Sequence, residues 1–196
     1  VSLRERKKQR TRDRLVAEAL RLFARNGYDQ TSVEEIADAA DVSPRTFFRY
    51  FPTKPDVVFA DLPARLAAVQ AALDGATGAA IHGRIRDVLL ESRNLLGDDP
   101  QLLAVRTTLV LENPLLQTRV LEFFATAEGL VSAAYARNLD VPPTRLAPRL
   151  AAAITIAAGR SAMLSWSGDQ AGDLEASITR SFEITSPTVK RILRGE

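Results

Sequence analysis

DVSPRTFFRYFPTK, running from Asp41 to Lys54, sets three phenylalanines, a tyrosine, two arginines and a lysine within fourteen residues. Ser43 followed by Pro44 marks a helix start, a capping hydroxyl with proline at the first helical position. At about 100° per residue, Pro44, Phe47, Phe48 and Phe51 fall on one arc of the helix that follows, and Arg45, Thr46, Arg49 and Tyr50 on the opposite arc. The apolar arc is expected to lock onto the preceding helices. The other arc, with two guanidiniums, a hydroxyl and a phenol, is left to meet something charged.

Working upstream, Leu15, Ala19, Leu22 and Phe23 form one apolar stripe over residues 12 to 25, which Asn26-Gly27 stops with a left-handed turn. Ser32 with Glu35 is a capping box, followed by Val33, Ile36, Ala37 and Ala40 at helical spacing. Two short helices joined by Asp41-Val42-Ser43 make a helix-turn-helix, whose second helix enters the DNA major groove N-terminus first. On this reading Arg45 offers two hydrogen bonds to guanine, and Thr46 a methyl to thymine or a hydroxyl to a base edge. Arg49, one turn on, reaches a base or swings to a phosphate. Tyr50, Lys54 and the Thr31-Ser32 pair suit phosphate oxygens, because hydroxyls, an ammonium and helix-start N–H groups all donate to anions. The plainer alternative is an all-helical core element with solvated arginines. Residue pattern alone leaves both open.

Charge leans toward a polyanion partner at one end. Net charge is +2, but residues 1–14 hold seven basic side chains (Arg4, Arg6, Lys7, Lys8, Arg10, Arg12, Arg14) against Glu5 and Asp13. Such a head is either a frayed, solvated tail or a source of salt-sensitive, nonspecific DNA contacts. With no Cys no disulfide forms, which fits a reducing compartment. No apolar run is long enough to span a bilayer, and the charged N-terminus lacks the core of a secretory signal, so a cytoplasmic protein with no membrane partner is expected. Val1 in place of Met suggests a trimmed or alternative start.

Downstream, further helices are expected at 55–73, 79–96, 100–112, 114–139, 144–167 and 171–185, with a short last one to Arg194. Cap-plus-proline pairs mark Asp99-Pro100, Asn113-Pro114 and Ser186-Pro187. Gly75, Gly78, the stretches at 97–99 and 140–143, and the one at 167–172 serve as breaks. No strand-like alternation appears, so the fold class is all-α.

The stretch from Leu15 to Lys54, AEALRLFARNGYDQTSVEEIADAADVSPRTFFRYFPTK at its centre, resembles the DNA-binding domain of TetR-family transcriptional regulators. The shared features are LF..NGY, TSVEEIA, VS...F..YF and the following Lys. The resemblance implies an N-terminal three-helix DNA-binding domain at 1–54 and a helical ligand-binding and dimerisation domain at 55–196. It also places Arg45, Thr46, Tyr50 and Lys54 on DNA-contacting positions. Asp41 stands where the family usually has Gly, which Asp tolerates in a left-handed turn. Phe48 stands where the family often has a phosphate-contacting Tyr, so that contact is not carried over. The body from about Asp99 to Phe182 looks like the C-terminal domain of the mycofactocin-system regulators of this family, some of which respond to acyl-coenzyme A.

A body of this kind calls for a mostly apolar pocket with a few polar groups. Phe123, Phe124, Tyr135, Met163 and Trp166 are the bulky candidates, and Arg86, Arg106 and Arg160 the candidates for an anionic ligand end. One recognition helix reads only a few base pairs, so a homodimer is expected. The Ala-rich stretch 149–164 and Leu174, Ile178 and Phe182 are its candidate interface, with an ordinary intrachain core as the alternative. The lone His82 is assigned a surface position. No cofactor and no metal are expected.

With no Cys and one His, cysteine nucleophiles, Cys or His metal clusters and most acid–base constellations are excluded. Phosphate loops and dinucleotide fingerprints are absent, so an enzyme is not expected. The expected function is a ligand-responsive repressor bound to a palindromic operator as a homodimer and released by a small hydrophobic or acyl-type effector. An activator or co-repressor-type regulator, whose effector promotes DNA binding, is the alternative, and a nonspecific DNA-binding protein the remote one.

Overall fold

The computed structural model describes residues 2–92, 100–168 and 173–196, and among these every regular element is a helix. They are α1 (Leu3–Asn26), α2 (Val33–Ala39), α3 (Pro44–Tyr50), α4 (Lys54–Val58), α5 (Leu62–Leu73), α6 (Ala80–Ser92), α7 (Pro100–Glu112), α8 (Pro114–Leu139), α9 (Leu146–Gly168) and α10 (Leu174–Arg194). The chain divides into two compact units. One holds the residues to Asp61, with α1 to α4, and also α7 and the first turn of α8 to Gln117; the other holds α5, α6, α8 from Thr118, α9 and α10. The first unit therefore runs past Lys54, where the sequence places the domain division, and takes in a later helix.

Local signals set the first unit. In α1 the stripe Leu15, Ala19, Leu22 and Phe23 is buried, joined by Val16 and Leu20. Gly27, at φ 88°, ends the helix and donates its N–H to the Phe23 carbonyl. Ser32 accepts from the Glu35 N–H while its own N–H donates to the Glu35 carboxylate at 2.7 Å, completing the capping box. Asp41 turns the chain at φ 54°, in the left-handed region that a short polar side chain tolerates. Ser43 then caps α3, with Pro44 in its first turn.

Three helix boundaries depart from expectation. The basic head is helical: Ser2 and Glu5 form a further capping box, and α1 begins at Leu3. The helix expected over 55–73 is two, α4 and α5, because the chain leaves helical geometry at Phe59. Pro187 does not start a new helix but lies inside α10. An interior proline costs about 3 kcal/mol, yet Ile178, Phe182 and Val189 recur at helical spacing on either side of it and all three are buried. Burying Val189 on the same stripe offsets part of that cost. The break expected at 167–172 begins later, since α9 runs to Gly168; the rest of that break, the break expected at 97–99, the Asp99 cap and the helix end at 96 lie outside the described residues.

The second unit packs α9 against α10, with α6 against both and α5 against α6. Ile81, Ile85 and Val88 of α6, Val131, Ala134 and Tyr135 of α8, Ala151, Ala152, Ala158 and Ala162 of α9, and Ile178, Phe182 and Val189 of α10 share one core. Alanines on α9 let the neighbouring backbones come close. At Gly159 the approach is closest, since a Cβ there would stand 2.5 Å from Cδ1 of Leu89.

Candidate nucleic-acid interface

Phe47 and Phe51 anchor α3. Both are buried, their ring centroids 5.7 Å apart, and α3 packs on α2 as α2 packs on α1. Arg12 of α1 reaches the same region, donating to the Ala60 carbonyl and stacking its guanidinium over the Phe51 ring at 5.4 Å. One arginine of the basic head is thus part of the fold. Residues 2–10, which include Arg4, Arg6, Lys7, Lys8 and Arg10, are exposed along the first turns of α1.

The face that α3 presents differs from the expected one. Arg45 and Arg49 are exposed, as expected, but the third exposed side chain is Phe48, 49% accessible, while Thr46 and Tyr50 are half-buried. Phe48 was placed on the core arc by its spacing. The core in fact closes over Phe47 and Phe51 and leaves Phe48 outside. Thr46 is engaged locally: its N–H donates to Ser43 Oγ, and the two hydroxyls lie 3.0 Å apart. Arg49 lies over the Tyr50 ring at 5.4 Å.

The remaining expected backbone contacts are largely committed to the fold. Thr31 is buried and its hydroxyl donates to the Gly27 carbonyl at 2.9 Å, which corrects its assignment to a phosphate. Ser32 donates its hydroxyl to Glu35 at 2.9 Å, so a phosphate at that helix start would meet the Glu35 carboxylate. The Ser32 backbone bond holds that carboxyl below the usual carboxylate range, and it stays charged. Lys54 donates to the carbonyls of Tyr28 and Thr31 at 2.9 and 3.1 Å and sits 4.3 Å from the Tyr28 ring centre. It ties the start of α4 to the loop ahead of α2. Burial, with Asp29 and Asp56 nearby, pushes the Tyr28 phenol up to about 12.

The candidate effector residues are divided between the two units. Arg106 lies in the first unit, buried, and donates to Asp61 at 2.6 Å; its charge is met within the protein. Arg86 makes two hydrogen bonds to the adjacent Asp87, and Arg160 is exposed. Tyr135 is fully buried, its hydroxyl 3.1 Å from that of Thr155, and burial pushes the phenol up to about 12. Trp166 is buried; Phe123, Phe124 and Met163 are half-buried, the two phenylalanine rings edge to face at 5.5 Å. A surface concavity of about 440 Å³ between Ala133 and Pro143 includes none of these residues.

Sequence reasoning also misplaced His82 and the interface trio. His82 is buried, with Nδ1 2.9 Å from the Thr155 hydroxyl and Nε2 near both the Phe182 carbonyl and the Thr185 hydroxyl. A carbonyl only accepts, so Nε2 carries the proton, and burial holds the ring's pKa below 6.5, which favours the neutral form. Ile178 and Phe182 are 1% and 2% accessible inside the second unit, with Leu174 packed beside them. Side chains so covered within one chain have no area left for a second copy. The apolar side chains that α9 and α10 do expose are Leu146, Leu150, Leu164 and Ile184. On α9 their signal was in the sequence, as a second apolar line, but nothing local told the two lines apart; α10 adds only Ile184. Among the described residues no group of His, Asp and Glu is placed to hold a metal ion, and no helix is long and apolar enough to cross a membrane.

Residues 15–60 match the family model for bacterial regulatory proteins of the tetR family, and residues 79–190 the model for the MftR C-terminal domain. The HTH-type transcriptional regulator TcmR of Streptomyces glaucescens is 37% identical, over 89% of this chain and 80% of that protein. Among solved structures, FadR from Bacillus subtilis in complex with stearoyl-CoA superposes with a TM-score of 0.63 at 21% identity, covering 93% of this chain and 98% of that one. NalD of Pseudomonas aeruginosa, the secondary repressor of the MexAB-OprM multidrug efflux pump, gives 0.64 at 18% identity, covering 94% and 97%.

Proposed function

The chain belongs to the TetR family of bacterial regulatory proteins, and on that footing we propose that it is a ligand-responsive repressor that binds a palindromic operator as a homodimer and is released by a small hydrophobic or acyl-type effector. The observation that carries the reading is the pair of exposed guanidiniums, Arg45 and Arg49, on a helix whose other arc is anchored by Phe47 and Phe51. Arg45, in the first turn, reads a base; Arg49 reads a base or grips a phosphate, and the basic start of α1 adds sequence-independent attraction.

Two copies are needed because one short helix covers only a few base pairs, and two-fold symmetry sets recognition helices one duplex turn, ~34 to 36 Å, or a multiple of it, apart. The partner surface is assigned to the outward line of α9 and to Ile184 of α10, with Leu150, Leu164 and Ile184 in place of Ile178 and Phe182. An effector works by binding better to a form whose recognition helices are wrongly spaced, since equal affinity for both forms shifts nothing. Motion reaches the head through the Pro52-Thr53-Lys54-Pro55 joint, where Lys54 is already fastened to the loop ahead of α2. The acyl class rests on the family of the C-terminal domain and on the stearoyl-CoA in the complex of the structural neighbour FadR.

The test is selection from a random duplex pool with the full-length protein, followed by addition of stearoyl-coenzyme A to the selected complex. An enriched inverted repeat released by the acyl thioester is the expected result. Tighter binding on addition would turn the reading to a co-repressor-type regulator, an unchanged complex would remove the acyl effector, and no enriched sequence would sink the operator model.

A further inference from the structure

Phe48 is the one exposed aromatic side chain among the described residues; every other Phe, Tyr and Trp ring is buried or half-buried. At about 100° per residue, Phe48, Arg45 and Arg49 span a single arc about 100° wide on α3, and they are its three exposed side chains. The Phe48 ring is not loose. It meets the buried Phe47 ring edge to face, with centroids 5.5 Å apart and planes at 85°. A rigid apolar group therefore stands at one edge of that arc, with both cations to the same side of it, on the face that α3 offers outward. Phosphates and sugar hydroxyls have no use for it, and a phenylalanine cannot donate to a phosphate. In the major groove the apolar group offered by a base edge is the 5-methyl of thymine.

We propose that Phe48 is a base-reading residue that packs its ring on the 5-methyl group of a thymine, beside the base taken by Arg45. The assignment rests on the reading of α3 as a recognition helix and moves the thymine contact from Thr46, whose side chain is half-buried and paired with Ser43. Rigidity matters here, because a ring already fixed against Phe47 loses little freedom on binding. The specificity it supplies is apolar and salt-insensitive, unlike that of the neighbouring guanidiniums.

The test uses the full-length protein and the duplex enriched from the random pool. Each thymine of the half-site is replaced in turn by deoxyuridine, which keeps the pairing and the O4 acceptor and lacks only the methyl. One symmetric thymine position should lose about fourfold in affinity when replaced in one half-site and about fifteenfold when replaced in both, the factors that correspond to one and two buried methyl-sized groups. Phe48→Ala should bind the thymine duplex as weakly as the native protein binds the deoxyuridine one and should no longer distinguish the two. Phe48→Leu, which keeps apolar bulk, should still prefer thymine, and circular dichroism should show both variants folded, since the side chain is half outside the fold. Discrimination by Phe48→Ala equal to that of the native protein, or a half-site in which no thymine methyl matters, would overturn the assignment while leaving the regulator standing. A pool that yields no enriched duplex would instead remove the regulator reading, and this inference with it.

Discussion

Nδ1 of His82 on α6 lies 2.9 Å from the hydroxyl of Thr155 on α9, and the same ring reaches the Phe182 carbonyl of α10 through Nε2. One neutral imidazole thus joins three helices of the second unit. Burial holds its pKa below the ordinary 6.5, the Phe182 bond partly opposing. The unfolded chain takes up a proton near pH 6.5 that the folded ring refuses, so stability falls as pH drops below about 6.5. Thermal unfolding between pH 7.5 and 5 should show this slope, and His82→Gln should flatten it while losing ~1 to 3 kcal/mol at neutral pH through unmet partners. Equal slopes in the two proteins would place the titration elsewhere.

Arg106 and Asp61 form a buried pair within the first unit. Arg106→Ala is expected to lower stability by up to ~3 to 5 kcal/mol, because it removes a cation hydrogen-bonded to a buried carboxylate. Arg106→Met combined with Asp61→Leu should recover most of that loss in urea unfolding. A residue that instead served the effector would, on the same substitution, leave the midpoint unchanged and weaken effector binding.

The outward line of α9, with Ile184 of α10, carries the dimer prediction. Leu150→Arg with Ile184→Arg should give a folded monomer by sedimentation and weaken operator binding, since Ile184 is 66% accessible. Ile178→Arg should instead unfold the second unit, because its side chain is in the core. A double variant that stayed dimeric would move the interface off these helices.

Arg45 and Lys54 should fail in different ways. Arg45→Ala should keep the melting temperature and relax selectivity at one base pair by ~1 to 3 kcal/mol, the worth of a bidentate contact to guanine. Lys54→Gln should lower the melting temperature, because the ammonium holds two backbone carbonyls and faces the Tyr28 ring. Unfolding and binding measured side by side separate the two.

Much of the DNA-binding head was legible residue by residue. Ser32 with Glu35, Ser43 with Pro44, the turn at Asp41 and the stop at Gly27 each act within a few residues, and each stands in the structure as read. Phe48 was misread because a seven-residue helix with three apolar positions, and a fourth at its cap, offers more than one plausible inward arc. Thr31 and Lys54 were read as phosphate ligands because their donors matched an anion, whereas backbone carbonyls close by in space had already taken them.

By itself, the sequence determined an all-helical chain, the position of its helix-turn-helix and the two arginines on the exposed face, since caps, turns and apolar stripes are short-range properties of the backbone. Tertiary structure alone decided which apolar line of α9 and α10 is core, that α10 runs through Pro187, and that His82 and Arg106 are interior. Those outcomes depend on partners far away along the chain, 45 residues for Arg106 and Asp61 and 100 for His82 and Phe182. A buried polar group is stable only where such a partner meets it, and no local pattern records which one will.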